Sequence, residues 1–230
     1  MKKTNRFLYI LLFIFNNSIC AQGIYMNDPM WLSKEQIEEF TQNTLNGNCD
    51  YCCKLAEYYG LYLQDTESER YWRQVGAENG NLYCQYNYAI SLKYVTINRY
   101  RFFINKAAEL GFQLAIDTMD DNNIVFVNYT DDEFSDEISG SNLKKFIKGA
   151  ELGNGLAALK VSNYLKKIQI NKNIENITSL TDKTHYIYWL RIGAQNGNQE
   201  CIKQYYELLK ASKNEYDNIR AQFWERKIEK

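Results

Sequence analysis

The pattern (Gly/Ala)-Ala-x-x-Gly occurs four times in this chain and constrains its fold more than any other feature. It reads GAENG at Gly76–Gly80, AAELG at Ala107–Gly111, GAELG at Gly149–Gly153 and GAQNG at Gly193–Gly197. Each copy ends a helix-like stretch rich in aromatics and precedes another apolar helix-like stretch. Self-similarity on this scale marks units that cannot bury their apolar face alone and stack on their neighbours. The expected fold is all-α: an α/α solenoid of helix-turn-helix repeats in a right-handed superhelix.

The last glycines stand at 80, 111, 153 and 197, with Gly47 opening GNCDYCCKLAEYY as an earlier, incomplete copy. The intervals of 33, 31, 42 and 44 residues describe helix pairs joined by loops of unequal length. A glycine there suits a positive φ at the helix end. Four positions beyond it stand Tyr51, Cys84, Ala115, Ala157 and Cys201, mostly small residues that allow close helix approach. Trp72, Phe103 and Trp189 lie four residues before their motifs, where a packing wedge fits better than a cofactor site. The third unit departs, with Lys145 at that position and Phe146 beside it. Ser33-x-x-Gln36 and Thr66-x-x-Glu69 are capping-box patterns that start helices just after Ser33 and Thr66.

The combination of Trp72 or Trp189, Gly-Ala-x-x-Gly-Asn and a small residue beyond resembles the Sel-one-like repeat family. These are α/α solenoids related to tetratricopeptide repeats. The resemblance covers residues 47–210 and assigns repeat-building roles to Trp72, Ala77, Gly80, Phe103, Ala108, Gly111, Ala150, Gly153, Trp189, Ala194 and Gly197. Residues 22–46 are expected to form an N-terminal capping segment. Residues 211–230 are expected to form a closing helix, with Tyr216, Ile219, Phe223 and Ile228 on its apolar stripe.

The N-terminus carries Lys2, Lys3 and Arg6, then an apolar run from Phe7 to Phe15 and small residues around Cys20 and Ala21. This is the pattern of a signal peptide over residues 1–21. Cleavage, a lipid anchor at Cys20 and an uncleaved anchor all stay open. No later stretch is apolar enough for a membrane span, so the expected product is exported, with the periplasm as its address. Loss of three of the 27 basic residues leaves a formal charge of −4, which gives no footprint for nucleic acid. An oxidising compartment permits a disulfide among Cys49, Cys52, Cys53 and Cys84, with connectivity left open.

Residues 107–143 carry nine acids and no Lys or Arg. The acidic insertion proper, about residues 117–139, is expected to be a solvated loop or a docking surface for a basic partner, through Asp131, Asp132 and Glu133. Its NIVFVNYTDDEF stretch suits a short strand or an ordered loop. No metal site or cofactor is expected. His185, the only histidine, is placed as a capping or packed residue. No catalytic constellation is expected either. Ser141-Asn142-Leu143-Lys144 matches the SxxK pattern of penicillin-recognising enzymes without its partner motifs, and Ser141 is more simply a helix N-cap.

The chain therefore reads as a non-enzymatic protein-binding scaffold. Tyrosine suits recognition, and Tyr51, Tyr58, Tyr83, Tyr86, Tyr205 and Tyr206 are the candidates, on the first helices of the pairs, where a concave groove is expected. About half of the rings are expected to be structural. The family resemblance implies an immunity protein that neutralises a secreted toxin, such as a lipase delivered by a type VI apparatus. An envelope or host-contact adaptor is the alternative, and a β-lactam-binding protein a third reading.

Overall fold

The computed structural model describes residues 31–125, 127–169 and 176–229, so the signal peptide expected over 1–21 lies outside the described residues. Eleven α-helices and no strand occur among the described residues. They are α1 (Lys34–Leu45), α2 (Cys52–Glu57), α3 (Thr66–Asn79), α4 (Leu82–Leu92), α5 (Ile97–Glu109) and α6 (Gln113–Asp121). After a 3-10 turn at Asp131–Phe134 come α7 (Leu143–Glu151), α8 (Gly155–Ile168), α9 (Tyr186–Gln195), α10 (Gln199–Ala211) and α11 (Glu215–Glu225). A π-helical turn, Tyr58–Tyr62, extends α2.

The recurring motif writes the same turn four times. In the first copy Gly80 N–H donates to Ala77 O and Asn81 N–H donates to Gly76 O, the paired bonds of a Schellman ending. The same two bonds recur at Gly111 and Phe112, at Gly153 and Asn154, and at Gly197 and Asn198. Asn81 then caps α4 by accepting from Cys84 N–H at 2.8 Å. Asn154 and Asn198 cap α8 and α10 likewise, at 2.7 and 3.0 Å. One six-residue string thus ends one helix and starts the next.

Gly80 has φ +95°, and a Cβ there would meet nothing within 4 Å. Its conservation of shape is a backbone matter alone. Gly80→Ala should lower stability by about 1–2 kcal/mol, the cost of a left-handed L-residue. Urea denaturation checks this, and an unchanged midpoint would mean that the turn tolerates another ending. Gly76 and Gly193 are glycine for a different reason. A Cβ at Gly76 would come 2.7 Å from Cys84 Sγ, and one at Gly193 would come 2.3 Å from Cys201 Sγ. Helix ends and the following helices therefore touch backbone to sulfur.

Some boundaries fall one residue away from the sequence expectation. Ser33 forms its capping box with Gln36, but the cap of α3 is Asp65, which accepts from Glu67 and Ser68 N–H. Asn142, not Ser141, is the N-cap of α7. The NIVFVNYTDDEF stretch contains no strand in its described residues; its end is the 3-10 turn, and Phe134 is fully buried against Phe146, with ring centroids 5.3 Å apart. The closing helix α11 buries Asp217, Arg220, Ala221, Phe223 and Trp224, whereas Tyr216 is exposed. The stripe runs around those residues because Arg220 and Asp217 have partners inside.

Each helix packs mainly on its sequence neighbours, and α11 returns to pack on α1. Arg220 Nη1 donates to Leu45 O at 3.1 Å, at the end of α1. The closure is pinned by Glu78 of α3. Its carboxylate accepts from Arg191 Nε at 2.7 Å, Gln195 Nε2 at 2.6 Å and Arg220 Nη2 at 2.7 Å. Glu78, Arg191 and Arg220 are all withdrawn from solvent. Nearby, buried Arg99 of α5 donates to Gln195, Asn196 and Glu151 O, and its guanidinium lies 4.1 Å from the Phe102 ring centroid.

The hub therefore joins α1, α3, α5, α7, α9 and α11, the second helices of successive pairs. This corrects the expected groove lined by the first helices: at the centre the second helices meet and hydrogen-bond. A buried ion pair adds little net stability against an apolar replacement, but half of one is very costly. Such a cluster fixes which helices meet.

Candidate functional site

The array brings the cysteines of two successive units together. Cys52 and Cys53 open α2, and Cys84 lies in the first turn of α4. Cys84 Sγ is 2.7 Å from Cys53 Sγ and 3.0 Å from Cys52 Sγ, and Cys52 and Cys53 are 3.8 Å apart. No disulfide joins any two of Cys49, Cys52, Cys53 and Cys84, which corrects the sequence expectation. Cys52, Cys53 and Cys84 are free thiols, with separations beyond the S–S bond length of about 2.05 Å. Cys52 donates to Cys49 O at 3.0 Å. Cys53 lies under a small cleft lined by Glu57, Arg73, Tyr83 and Asn87, which opens the group to solvent.

Thiol hydrogen bonds from Cys52 and Cys84, with the Arg73 charge nearby, hold Cys53 below the ordinary thiol range against the effect of burial. Cys52 is raised, chiefly by its hydrogen bond to Cys53, and Cys84 is raised, chiefly by burial. Cys53 is thus the most easily ionised thiol of the three. Cys201 differs: burial pushes it up to about 12. The sequence placed Cys84 both as a small core residue and among the disulfide candidates with Cys49, Cys52 and Cys53; the structure brings it beside Cys52 and Cys53 as a free thiol.

The candidate recognition tyrosines divide. Tyr205 and Tyr206 are buried in the core of α9–α11, Tyr205 against Trp224 at 5.7 Å and Tyr206 donating to Glu225 at 3.1 Å. Tyr58 is buried with Leu55 and Trp72. These three are corrected from surface candidates to core residues, because their helix faces inward at those positions. Tyr51 is half-buried and stacks on Phe40 at 4.5 Å. Tyr86 is half-buried, with its hydroxyl 3.2 Å from Thr118 Oγ1. Tyr83 remains exposed.

The exposed apolar side chains that the periodicity did not single out cluster nearby in the chain. Leu61, Tyr62 and Leu63 follow α2, Ile90 lies on α4, Tyr94 and Val95 join α4 to α5, and Ile97 opens α5. Tyr94 is 93% exposed. Its signal was the break in helical pattern at Lys93–Thr96, where a ring has no neighbouring helix to cover it.

Asp131, Asp132 and Glu133 form the 3-10 turn and are exposed. Asp131 accepts from Asn154 Nδ2 at 2.9 Å and Glu133 accepts from Thr130 N–H at 3.1 Å, so the turn is tied to the start of α8. Between this segment and α5 lies a cleft of about 140 Å³, with Lys106, Glu109, Asn128, Tyr129, Asn154 and Asn196 in its wall. Amides, one ammonium and one carboxylate suit hydrogen-bonded recognition of a polar chain. His185 is buried and caps α9 by accepting from Ile187 N–H at 3.2 Å. Ser141 Oγ is 2.8 Å from Ser139 Oγ, and Ser141 makes no hydrogen bond to Lys144 among the described residues.

No helix among the described residues is long and apolar enough to cross a membrane. Comparison with protein-family models, curated proteins and solved structures returns no match to this chain.

Proposed function

We propose that this chain is an exported, non-enzymatic Sel-one-like repeat solenoid that binds another protein, and that it acts as an immunity protein against a secreted antibacterial toxin. The observation that carries the binding reading is the number of large apolar side chains left exposed on and beside α2 and α4, among them Tyr62, Tyr83, Ile90 and Tyr94. Soluble chains seldom leave so many large apolar groups in water within one stretch unless a partner covers them. The frame beneath is pinned by buried charged groups, so little conformational entropy is lost when a partner docks. The toxin assignment rests on the family resemblance. The exposed acids Asp132 and Glu133 complement a basic partner.

The test is capture of crosslinked partners from the periplasm with the tagged full chain, followed by affinity measurement. A secreted toxin in stoichiometric complex is the expected capture, and cells lacking the chain should become sensitive to that toxin. Tyr94→Ala should weaken the complex by about 2 kcal/mol, roughly thirty-fold. Resident envelope proteins alone in the capture, with unchanged self-competition on deletion, would sink the toxin reading in favour of the adaptor.

A further inference from the structure

We infer that Cys52, Cys53 and Cys84 form a binding site for one soft monovalent cation, Cu(I), held by three thiolates. The donor atoms are distinct from the protein-binding surface, which meets this site only through Tyr83 in the cleft beside Cys53.

The three sulfurs lie within 4.8 Å of one another, and no other residue type contributes to the group. Thiolate-only donor sets select soft ions, Cu(I) foremost, over Mg²⁺, Ca²⁺ or Mn²⁺, which require oxygen. Coordination number separates Cu(I) from structural Zn²⁺, and a zinc on three protein ligands would carry a water oxygen in its fourth position. A structural zinc site takes four protein ligands, and its metal–sulfur bonds are about 2.3 Å. Two oxygens beside the sulfurs are already committed. Asn81 Oδ1, 3.5 Å from Cys53 Sγ, caps α4 through Cys84 N–H. Cys49 O accepts from Cys52 Sγ and from Asn81 Nδ2. Among the described residues no fourth His, Cys, Asp or Glu joins the three sulfurs, which suits a three-coordinate ion.

The spacing is close to what binding needs. Three bonds of about 2.3 Å in a trigonal plane place sulfurs about 4.0 Å apart, and Cys52 and Cys53 stand 3.8 Å apart. Cys84 has to withdraw by about 1 Å to complete the triangle. The absence of a side chain at Gly76 leaves the sulfurs their place: a Cβ there would lie 2.5 Å from Cys52 Sγ and 2.7 Å from Cys84 Sγ. The cleft beside Cys53, Glu57 and Tyr83 gives the ion its entry path. On binding, the thiol protons leave to solvent as three Cu–S bonds form, with no change in the oxidation state of copper or sulfur. Arg73 offsets part of the anionic charge that results.

The experiment is anaerobic titration of the reduced full chain with Cu(I), in competition with a chromophoric Cu(I) chelator. Sulfur coordination is read from the thiolate-to-metal charge-transfer band and from X-ray absorption. One Cu(I) per chain with a sulfur-only shell is the expected result. Cys53→Ser, at the solvent-facing sulfur, should fold as wild type by circular dichroism and lose affinity by more than about 100-fold, beyond the range of outer-shell changes. Cys201→Ala should bind as wild type. The proposal is overturned if the reduced chain takes no Cu(I) from the chelator. Uptake that survives in Cys53→Ser, or a first shell with nitrogen or oxygen, overturns it equally.

Discussion

Glu78→Ala is expected to cost about 3–5 kcal/mol, because it leaves Arg191 and Arg220 buried without their common carboxylate. Both guanidiniums are almost inaccessible to solvent, so water cannot replace the missing oxygens. Equilibrium urea unfolding measures the loss. A cost below about 1 kcal/mol would mean that water or a shifted side chain reaches the hub, as for a surface pair. The pH dependence has a defined sign. Burial alone would raise the Glu78 carboxyl, but Arg191 and Arg220 outweigh it and hold the group below the ordinary glutamate value. Its stabilisation is therefore complete above the unfolded value of about 4.3 and fades as the pH falls through the lower folded value. Glu78→Gln should show a flatter stability profile in that acid window than wild type.

Deleting residues 212–230, which carry α11, is expected to abolish the single cooperative unfolding transition. In an open repeat array, loss of a terminal helix subtracts one nearest-neighbour interface and leaves the rest folded. Here α11 packs on α10 and on α1. It buries Phe223 and Trp224, whose individual truncations would each cost about 3–5 kcal/mol. It also supplies Arg220 to Glu78 and Leu45 O, and buried Asp217 to the N–H groups of Ile177 and Thr178 at 3.1 and 2.9 Å. Together these approach the whole stability of a typical domain, about 5–15 kcal/mol. Near-ultraviolet circular dichroism across a urea series decides it. A sharp transition with only a modestly lower midpoint would show that neighbour packing holds the fold without closure.

Much of the candidate surface was only partly legible in sequence. Tyr83 and the acids Asp132 and Glu133 are exposed, but Tyr58, Tyr205 and Tyr206 share their composition and lie inside. A tyrosine supports either role, as a core ring with a satisfied hydroxyl or as a surface anchor. Tyr205 and Tyr206 are adjacent on α10, yet both are buried, because neighbouring helices flank that segment on both sides. Tyr94 escaped the helical pattern altogether and is the most exposed of the large apolar groups.

The amino-acid sequence by itself determined the helix content, the four repeated turns and the wedge positions. The bonds involved are local: the Schellman pair spans five residues and the asparagine cap three. Trp72, Phe103 and Trp189 are buried where their spacing from the motif placed them. Only the tertiary structure decided that α11 closes on α1, that Glu78 meets Arg191 and Arg220, and that Cys84 meets Cys52 and Cys53 as free thiols. The hub partners lie 113 and 142 residues from Glu78. Their meeting depends on the rotation between each helix pair and the next, summed around the array and altered by insertions of unequal length. Periodicity states which face of a helix turns inward; it carries no information on that sum.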